Sequence, residues 1–330
     1  VSKPKVYVTD FEFKTLQYEE EVLNPVGAEL IGVQCKTEDE IIEKCKDAFG
    51  LINQYAPIGR KVLESLPNLK VVARYGVGVN TIDIPAATEL GICVAHVPDY
   101  CMDEVSDHAM ALLMACARKT VLMNNEVKKG NWDYKVSIPI NRLRGQKLGL
   151  ISFGRIAQAL AKKAQAFGLN LLVYDPYVPE AVAKEHNAKL VSLEELLKES
   201  DFISVHAPLT AETEHMISEK ELQMMKDSAY IINTGRGPVI DEKALVKGLQ
   251  QGWIAGAGLD VLETEPPAAD NPLLQMDNVV INPHAAWYSE QAEAELRRKT
   301  ARGVAEVIQG YYPTYHVNKE VREKLTLKTL

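Results

Sequence analysis

Twice along this chain, short apolar runs alternate with amphipathic segments, and that rhythm leaves few folds open. In the first hundred residues, 6–8, 48–52, 69–73 and 92–95 read as strands, with 38–45 and 60–66 between them as helices. A second series places strands at 147–151, 171–174, 202–205, 230–232, 257–259 and 279–281. Apolar strands separated by helices build parallel sheets that are covered on both faces. The fold class expected is α/β, with two doubly wound parallel-sheet domains, Rossmann-like or flavodoxin-like, and a cleft between them.

The segments outside the strands set the domain limits. Val105, Ala109, Leu112, Leu113, Cys116 and Ala117 recur at helical spacing, so one long helix over 103–129 is expected to start the second domain. The amphipathic stretch 290–309 follows the last strand and has no strand of its own, which sends it back to the first domain. Residues 1–100 with 288–330 are then a discontinuous substrate domain, and 101–287 an inserted cofactor domain. The two crossings, near 98–101 and 287–289, are expected to form a hinge. At 330 residues, 46% of them hydrophobic, the chain is long enough for two cores.

Charge and cysteine usage remove several classes of function. The net charge is -8, and the basic runs are as short as Lys128-Lys129 and Arg297-Arg298-Lys299, so no nucleic-acid or anionic-membrane partner is expected. No apolar stretch approaches the ~20 residues of a membrane span. The five cysteines, Cys35, Cys45, Cys93, Cys101 and Cys116, contain no Cys-x-x-Cys pair, which argues against a disulfide framework or a zinc site. A soluble cytoplasmic protein, neither exported nor anchored, is the expectation.

After the strand at 147–151 comes Ser152-Phe153-Gly154-Arg155-Ile156-Ala157. A dinucleotide loop here reads Gly-x-Gly-x-x-Gly/Ala, with glycines for the turn, the pyrophosphate approach and the helix packing. Gly154 holds the second position and Ala157 an accepted third, whereas Ser152 departs from the first. A side chain in that turn costs about 1 kcal/mol if the backbone is left-handed there. Asp175 closes the next strand, at the spacing where a carboxylate accepts the ribose hydroxyls of NAD. It would repel a 2′-phosphate, and Pro176 and Tyr177 supply no arginine, so the cofactor expected is NAD (NADH) rather than NADP. Arg155, at the helix start, is placed to face the diphosphate.

Three residues near later strand ends complete a reaction centre for a small 2-oxo or 2-hydroxy acid. Arg236 lies between Gly235 and Gly237 and offers a planar fork for the substrate carboxylate or carbonyl. His284 follows Asn282-Pro283 and suits general acid-base work, as acid in reduction and base in oxidation. Glu265, in Glu263-Thr264-Glu265-Pro266, is placed to tune it, and is expected to raise its pKa. His206, His215 and His284 lack metal-ligand spacing, so no metal is expected.

These residues, in this order, resemble the D-isomer-specific 2-hydroxyacid dehydrogenase family over nearly the whole chain. Supporting segments are Val72 to Asp83, Leu143-Arg144-Gly145, His206-Ala207-Pro208-Leu209-Thr210 and Gly258-Leu259-Asp260-Val261. Within the family, His284 to Ala292 and Tyr174-Asp175-Pro176-Tyr177 are most similar to the C-terminal-binding-protein branch. The resemblance implies Arg236, Glu265 and His284 as the catalytic trio. It implies cofactor contacts at Gly154, Arg155, Ile156, Asp175, His206, Ala207, Pro208, Thr213, Thr234, Gly235, Asp260 and Ala286, with Asp260 and Thr234 positioning the nicotinamide and Pro208 and Thr213 lying by the adenosine half. Backbone amides of Tyr75, Gly76, Val77 and Gly78 would hold the substrate carboxylate, with Arg74 as a further anion contact and Trp287 at the substrate. Gln54, Tyr55, Tyr75, Tyr100, Trp132 and Trp287 could line the pocket or belong to the core. The segment 103–129 resembles the family's dimerisation segment, so a homodimer through the cofactor domain is expected. Two other functions stay open at this stage: an NAD(H)-sensing, corepressor-like binding protein, and oxidation of a small oxyanion such as phosphite.

Overall fold

A computed structural model describes residues 3–329; Val1, Ser2 and Leu330, at the ends of the expected domain ranges, lie outside the described residues. The chain divides into two compact units, one of residues 1–100 and 289–330, the other of residues 101–288. The first holds β1 (Lys5–Val8), β2 (Glu29–Gly32), β3 (Gly50–Asn53), β4 (Val71–Arg74) and β5 (Cys93–Ala95). Their order in the sheet is β2-β1-β3-β4-β5, all parallel. Helix Glu290–Ile308 belongs to this unit, where Val304 approaches β3 at Gly50.

The second unit carries β6 (Lys147–Ile151), β7 (Asn170–Tyr174), β8 (Ala188–Leu190), β9 (Phe202–Val205), β10 (Tyr230–Asn233), β11 (Gly256–Leu259) and β12 (Val279–Ile281). The order is β12-β11-β10-β9-β6-β7-β8, again all parallel. From β6 the chain winds one way through β7 and β8, then crosses to β9 and winds the other way. The reversal between β6 and β9 opens a crevice at the carboxyl ends of the strands, where doubly wound sheets bind ligands. Both faces are covered: Leu112, Leu113, Leu160 and Ala161 pack on one, Leu222, Leu245 and Leu249 on the other.

Three details differ from the sequence expectation. The second sheet has seven strands rather than six, the extra one being β8, a three-residue edge strand. In the first sheet β2 is likewise an edge strand, with no buried residue to mark it as apolar. The single helix expected over 103–129 is two, Met102–Arg118 and Thr120–Lys128, because Lys119 between them takes φ 49°. That left-handed residue breaks the hydrogen-bond ladder and turns the chain. Among the described residues no helix is long and apolar enough to cross a membrane.

Candidate active site

The catalytic and cofactor candidates of the second unit lie in the connections that leave the carboxyl ends of its strands, or at the helix start that such a connection leads into. Ser152 follows β6, and its φ of 69° is the left-handed conformation that the first glycine of a dinucleotide loop would adopt. The cost of about 1–2 kcal/mol for an L-residue there is offset by local bonds. Ser152 N donates to Tyr174 O at 2.8 Å, and its hydroxyl lies 3.3 Å from Asp175 Oδ2. Phe153 N also donates to Asp175 Oδ2, at 2.8 Å, while Tyr177 N donates to Oδ1, at 2.8 Å. Two amides thus fix the plane of the Asp175 carboxylate; Oδ2 takes both the Phe153 amide and the Ser152 hydroxyl, and Oδ1, with the Tyr177 amide alone, keeps an acceptor site.

Gly154 caps helix Arg155–Ala166 with φ -72°, a conformation open to any residue. A Cβ built there meets no protein atom within 4 Å, so nothing in the fold requires glycine; the bare position keeps the helix start open to an outside group. Gly154 and Arg155 are exposed and Ile156 half-buried, whereas Ala157 is fully buried against the sheet. A second observation points the same way. Thr234, just past β10, has a buried Oγ1 with no hydrogen-bond partner among the described residues, and an orphaned buried hydroxyl is costly unless a ligand completes it. These residues fit a dinucleotide.

After β9, His206 donates its backbone N–H to Ile151 O and its ring Nε2 lies 2.9 Å from Ser204 Oγ. Burial pushes its pKa down to about 4, so the ring is neutral near pH 7. Ala207 is buried, and Pro208 O accepts from the Thr213 hydroxyl at 2.5 Å, which itself accepts from Thr210 N at 2.8 Å. The Thr213 side chain therefore closes the 208–213 loop on itself.

The three candidate catalytic residues lie after β10, β11 and β12. Asn233 braces the Arg236 turn: its Oδ1 accepts from Gly235 N and its Nδ2 donates to Arg236 O, both at 3.0 Å. Arg236 is half-buried, with Nη1 donating to Gly235 O at 2.8 Å. His284 has φ 53° and donates its N–H to Asp260 O at 2.8 Å. Its Nδ1 lies 2.6 Å from Glu265 Oε2, with the two side chains 34% and 36% exposed, enough for proton exchange with solvent. Burial opposes ionisation of Glu265, but the His284 ring, the Leu262 N–H and the charge of Arg236 outweigh it and hold its pKa below the usual carboxylate value. An ionised carboxylate only accepts, so Nδ1 carries the proton of that bond and Nε2 is left to exchange a proton with a ligand.

Asp260 is buried and accepts from Ala285 N and Ala286 N, one on each oxygen, at 2.9 Å. It shapes the turn that carries His284. His108, from helix Met102–Arg118, reaches the same turn, with Nε2 3.0 Å from Asn282 Oδ1. Sequence reasoning missed His108, and also a reciprocal clamp beneath Glu265. Glu242 N donates to Glu263 Oε1 and Glu263 N to Glu242 Oε2, both at 3.0 Å, while His215 Nε2 lies 2.8 Å from Glu263 Oε1. No spacing signals a pair twenty-one residues apart. Trp287 is half-buried and meets the Tyr288 ring edge-on at 5.5 Å. Among the described residues no group of three or more side chains is arranged to hold a metal ion.

The run 74–78 lies in the first unit, after β4. Tyr75 N donates to Asn53 O at 2.9 Å, and Gly76 has φ 125°, with any Cβ falling 2.1 Å from Arg74 Nη1. Only glycine fits there. Val97 N caps Gly76 O and the His96 ring bonds Val77 O, at 3.0 and 2.8 Å. The N–H groups of Gly76, Val77 and Gly78 meet no acceptor among the described residues. Of the aromatic and amide candidates for a pocket wall, Gln54, Tyr75 and Tyr100 are buried, while Tyr55 and Trp132 are exposed.

Residues 110–286 match the family model described as D-isomer specific 2-hydroxyacid dehydrogenase, NAD binding domain. The chain is 43% identical over 285 residues to a glyoxylate reductase of Korarchaeum cryptofilum, covering 85% of this chain and 86% of that protein. It is 39% identical to a glyoxylate reductase of Thermococcus litoralis, covering 97% and 98% respectively. Among solved structures it resembles a D-lactate dehydrogenase of Aquifex aeolicus complexed with NAD and lactic acid, with TM-score 0.83, 31% identity, and coverage of 97% of this chain and 98% of that one.

Proposed function

The chain belongs to the D-isomer-specific 2-hydroxyacid dehydrogenase family, a family of NAD-dependent oxidoreductases, and from that premise we propose that it interconverts a small 2-oxo acid and its D-2-hydroxy acid. The observation that carries the proposal is the 2.6 Å contact between His284 Nδ1 and Glu265 Oε2, on the sheet edge that also bears Arg236. NADH, when bound, supplies the hydride. In the reductive direction His284 gives the Nε2 proton to the substrate oxygen, and in oxidation it takes that proton back. Glu265 holds the ring in the tautomer this requires. Arg236 binds the substrate carboxylate or carbonyl and opposes the charge that grows on oxygen.

Gly154, Arg155 and Ile156 would hold the diphosphate, Asp175 the ribose hydroxyls, and Thr234, Gly235, Asp260 and Ala286 the nicotinamide side, with His206, Ala207, Pro208 and Thr213 along the rest of the cofactor. In the first unit the amides of residues 75–78 and the Arg74 side chain take the substrate carboxylate, and Trp287 serves the substrate from the second. The five buried cysteines, none of them in a disulfide, suit a reducing compartment such as the cytoplasm. The expected assembly is a homodimer through the second unit. It is supported by helix Thr120–Lys128, which buries no residue, and by the exposure of Trp132, Tyr134 and Ile138 at 88%, 72% and 61%, an apolar surface of the kind that marks an interface.

The test follows NADH consumption against glyoxylate, hydroxypyruvate, pyruvate, phenylpyruvate and 4-methylthio-2-oxobutyrate, with NADPH in parallel. At least one acid is turned over, His284→Ala lowers kcat by about 10²- to 10⁴-fold, and Asp175→Ala narrows the preference for NADH. Wild-type protein that reduces none of the five faster than His284→Ala refutes the proposal.

A further inference from the structure

The first unit contains a buried ionic cluster for which the reaction has no direct use. Glu19, on helix Gln17–Leu23, is 0% exposed, and Arg297, on helix Glu290–Ile308, is 3% exposed. Arg297 Nε donates to Glu19 Oε1 and Nη2 to Oε2, both at 2.8 Å, a bidentate pair that joins the two helices. The guanidinium is completed by Glu293 Oε1 at 3.1 Å and by the Thr15 carbonyl, and it lies 4.3 Å from the Phe13 ring centre and 4.7 Å from that of Tyr18. One further donor reaches Glu19: the Tyr75 hydroxyl, 2.8 Å from Oε1. The Tyr75 ring, 3% exposed, meets Phe13 edge-on at 5.3 Å.

Stability alone does not account for such a cluster, because the desolvation of two buried charges consumes most of what their attraction returns, and apolar replacements are often as stable. What a fully bonded ionic cluster adds is a defined position for whatever it holds. Here it holds the first residue of the 75–78 turn. Burial and the neighbouring Glu19 charge keep the Tyr75 hydroxyl well above its ordinary pKa, so it stays a donor throughout the working pH range. The opposite end of the turn is held by backbone and ring contacts from residues 96 and 97.

We propose that Tyr75 is a positioning residue for substrate binding, with the Glu19–Arg297 pair as the anchor that sets the direction of the Gly76, Val77 and Gly78 amides. The inference rests on the reading above, in which those amides take the substrate carboxylate. It assigns the Tyr75 side chain to the frame of the site and not to its wall.

Tyr75→Phe tests it, because it keeps the ring and its burial and leaves Glu19 bonded to Arg297. The expected result is a KM for the best 2-oxo acid raised about 5- to 10-fold, with kcat and the KM for NADH each within about twofold, the pattern of lost ground-state binding. Phe13→Leu, which loosens the ring contact and leaves the hydroxyl in place, raises the same KM by a smaller factor and carries the test if Tyr75→Phe does not fold. A lowered melting temperature with unchanged KM makes the cluster merely structural and overturns the inference. Wild-type protein inactive on every 2-oxo acid overturns the dehydrogenase reading and this one with it, whereas an active wild type and an unchanged variant KM overturn this one alone.

Discussion

Gly235 and Gly237 flank Arg236, and the structure separates them sharply. A Cβ on Gly237 would fall 1.9 Å from Leu262 O, 2.0 Å from Leu262 C and 2.6 Å from Glu263 N. All three are backbone atoms, so no rotamer change relieves the clash. Ordinary contact begins at 3.4 Å, so the two segments must part by about 1.5 Å, at an overpacking cost of about 1–3 kcal/mol. The segment that moves is held by the Glu242–Glu263 clamp and by the Leu262 N–H to Glu265 Oε1 bond of 2.9 Å, and losing one charge-assisted bond adds ~1.5 kcal/mol or more. Reduced freedom of the unfolded chain returns only about 0.4–1 kcal/mol. Gly237→Ala is therefore expected to destabilise by ~3 kcal/mol. At Gly235 the nearest atoms lie 3.4, 3.4 and 3.5 Å from the built Cβ, and Gly235→Ala should stay within ~1 kcal/mol of wild type. All three tryptophans, Trp132, Trp253 and Trp287, lie in the unit that carries both glycines, so urea unfolding followed by tryptophan fluorescence reads the difference. Because Glu265 rides on the displaced segment, kcat of Gly237→Ala should fall by ~10-fold or more, as Å-scale misplacement does. Equal urea midpoints for the two variants would refute the reasoning.

Two further outcomes are expected. His206 is held neutral in the folded state, its pKa depressed from 6.5 to about 4, so between those values the unfolded chain binds a proton that the native protein does not. Stability rises with pH across that window and is lost as pH falls through it, by at most ~3 kcal/mol. His206→Gln should flatten the melting temperature between about pH 6.5 and 4; an unaltered acid slope contradicts the assignment. In light scattering the wild type should run as a dimer and Trp132→Asp as a monomer, and a monomeric wild type removes the proposed interface.

Much of the site was legible because strand ends and chemistry coincide in the sequence. Asp175 closes an apolar run, and Arg236 and His284 follow two others, so period and residue type together named them. The strands β2 and β8 escaped because edge strands need little apolar surface and carry little. The break at Lys119 escaped because helical periodicity passes through it unchanged, and only the backbone angle reveals it. The Glu242–Glu263 clamp and the Tyr75–Glu19–Arg297 cluster were invisible for another reason: each is a long-range match between polar side chains and distant partners, and no local pattern encodes it. Ser152 lay between these cases. It departed visibly from the glycine pattern, while its left-handed backbone and its bond to Asp175 emerged only in three dimensions.

The placement of the functional side chains of the second unit in connections that follow strands has a consequence for how such a protein can change. The strands are occupied with packing, and several of them are buried along their whole length. Substitutions that retune the ligand therefore fall in the connections while most of the packing stays in the sheet, and the two sets of positions meet only where a connection is wedged against other backbone, as at Gly237. A lineage built on this plan can try new substrates without repeatedly endangering its core, and an engineer can search the loops first.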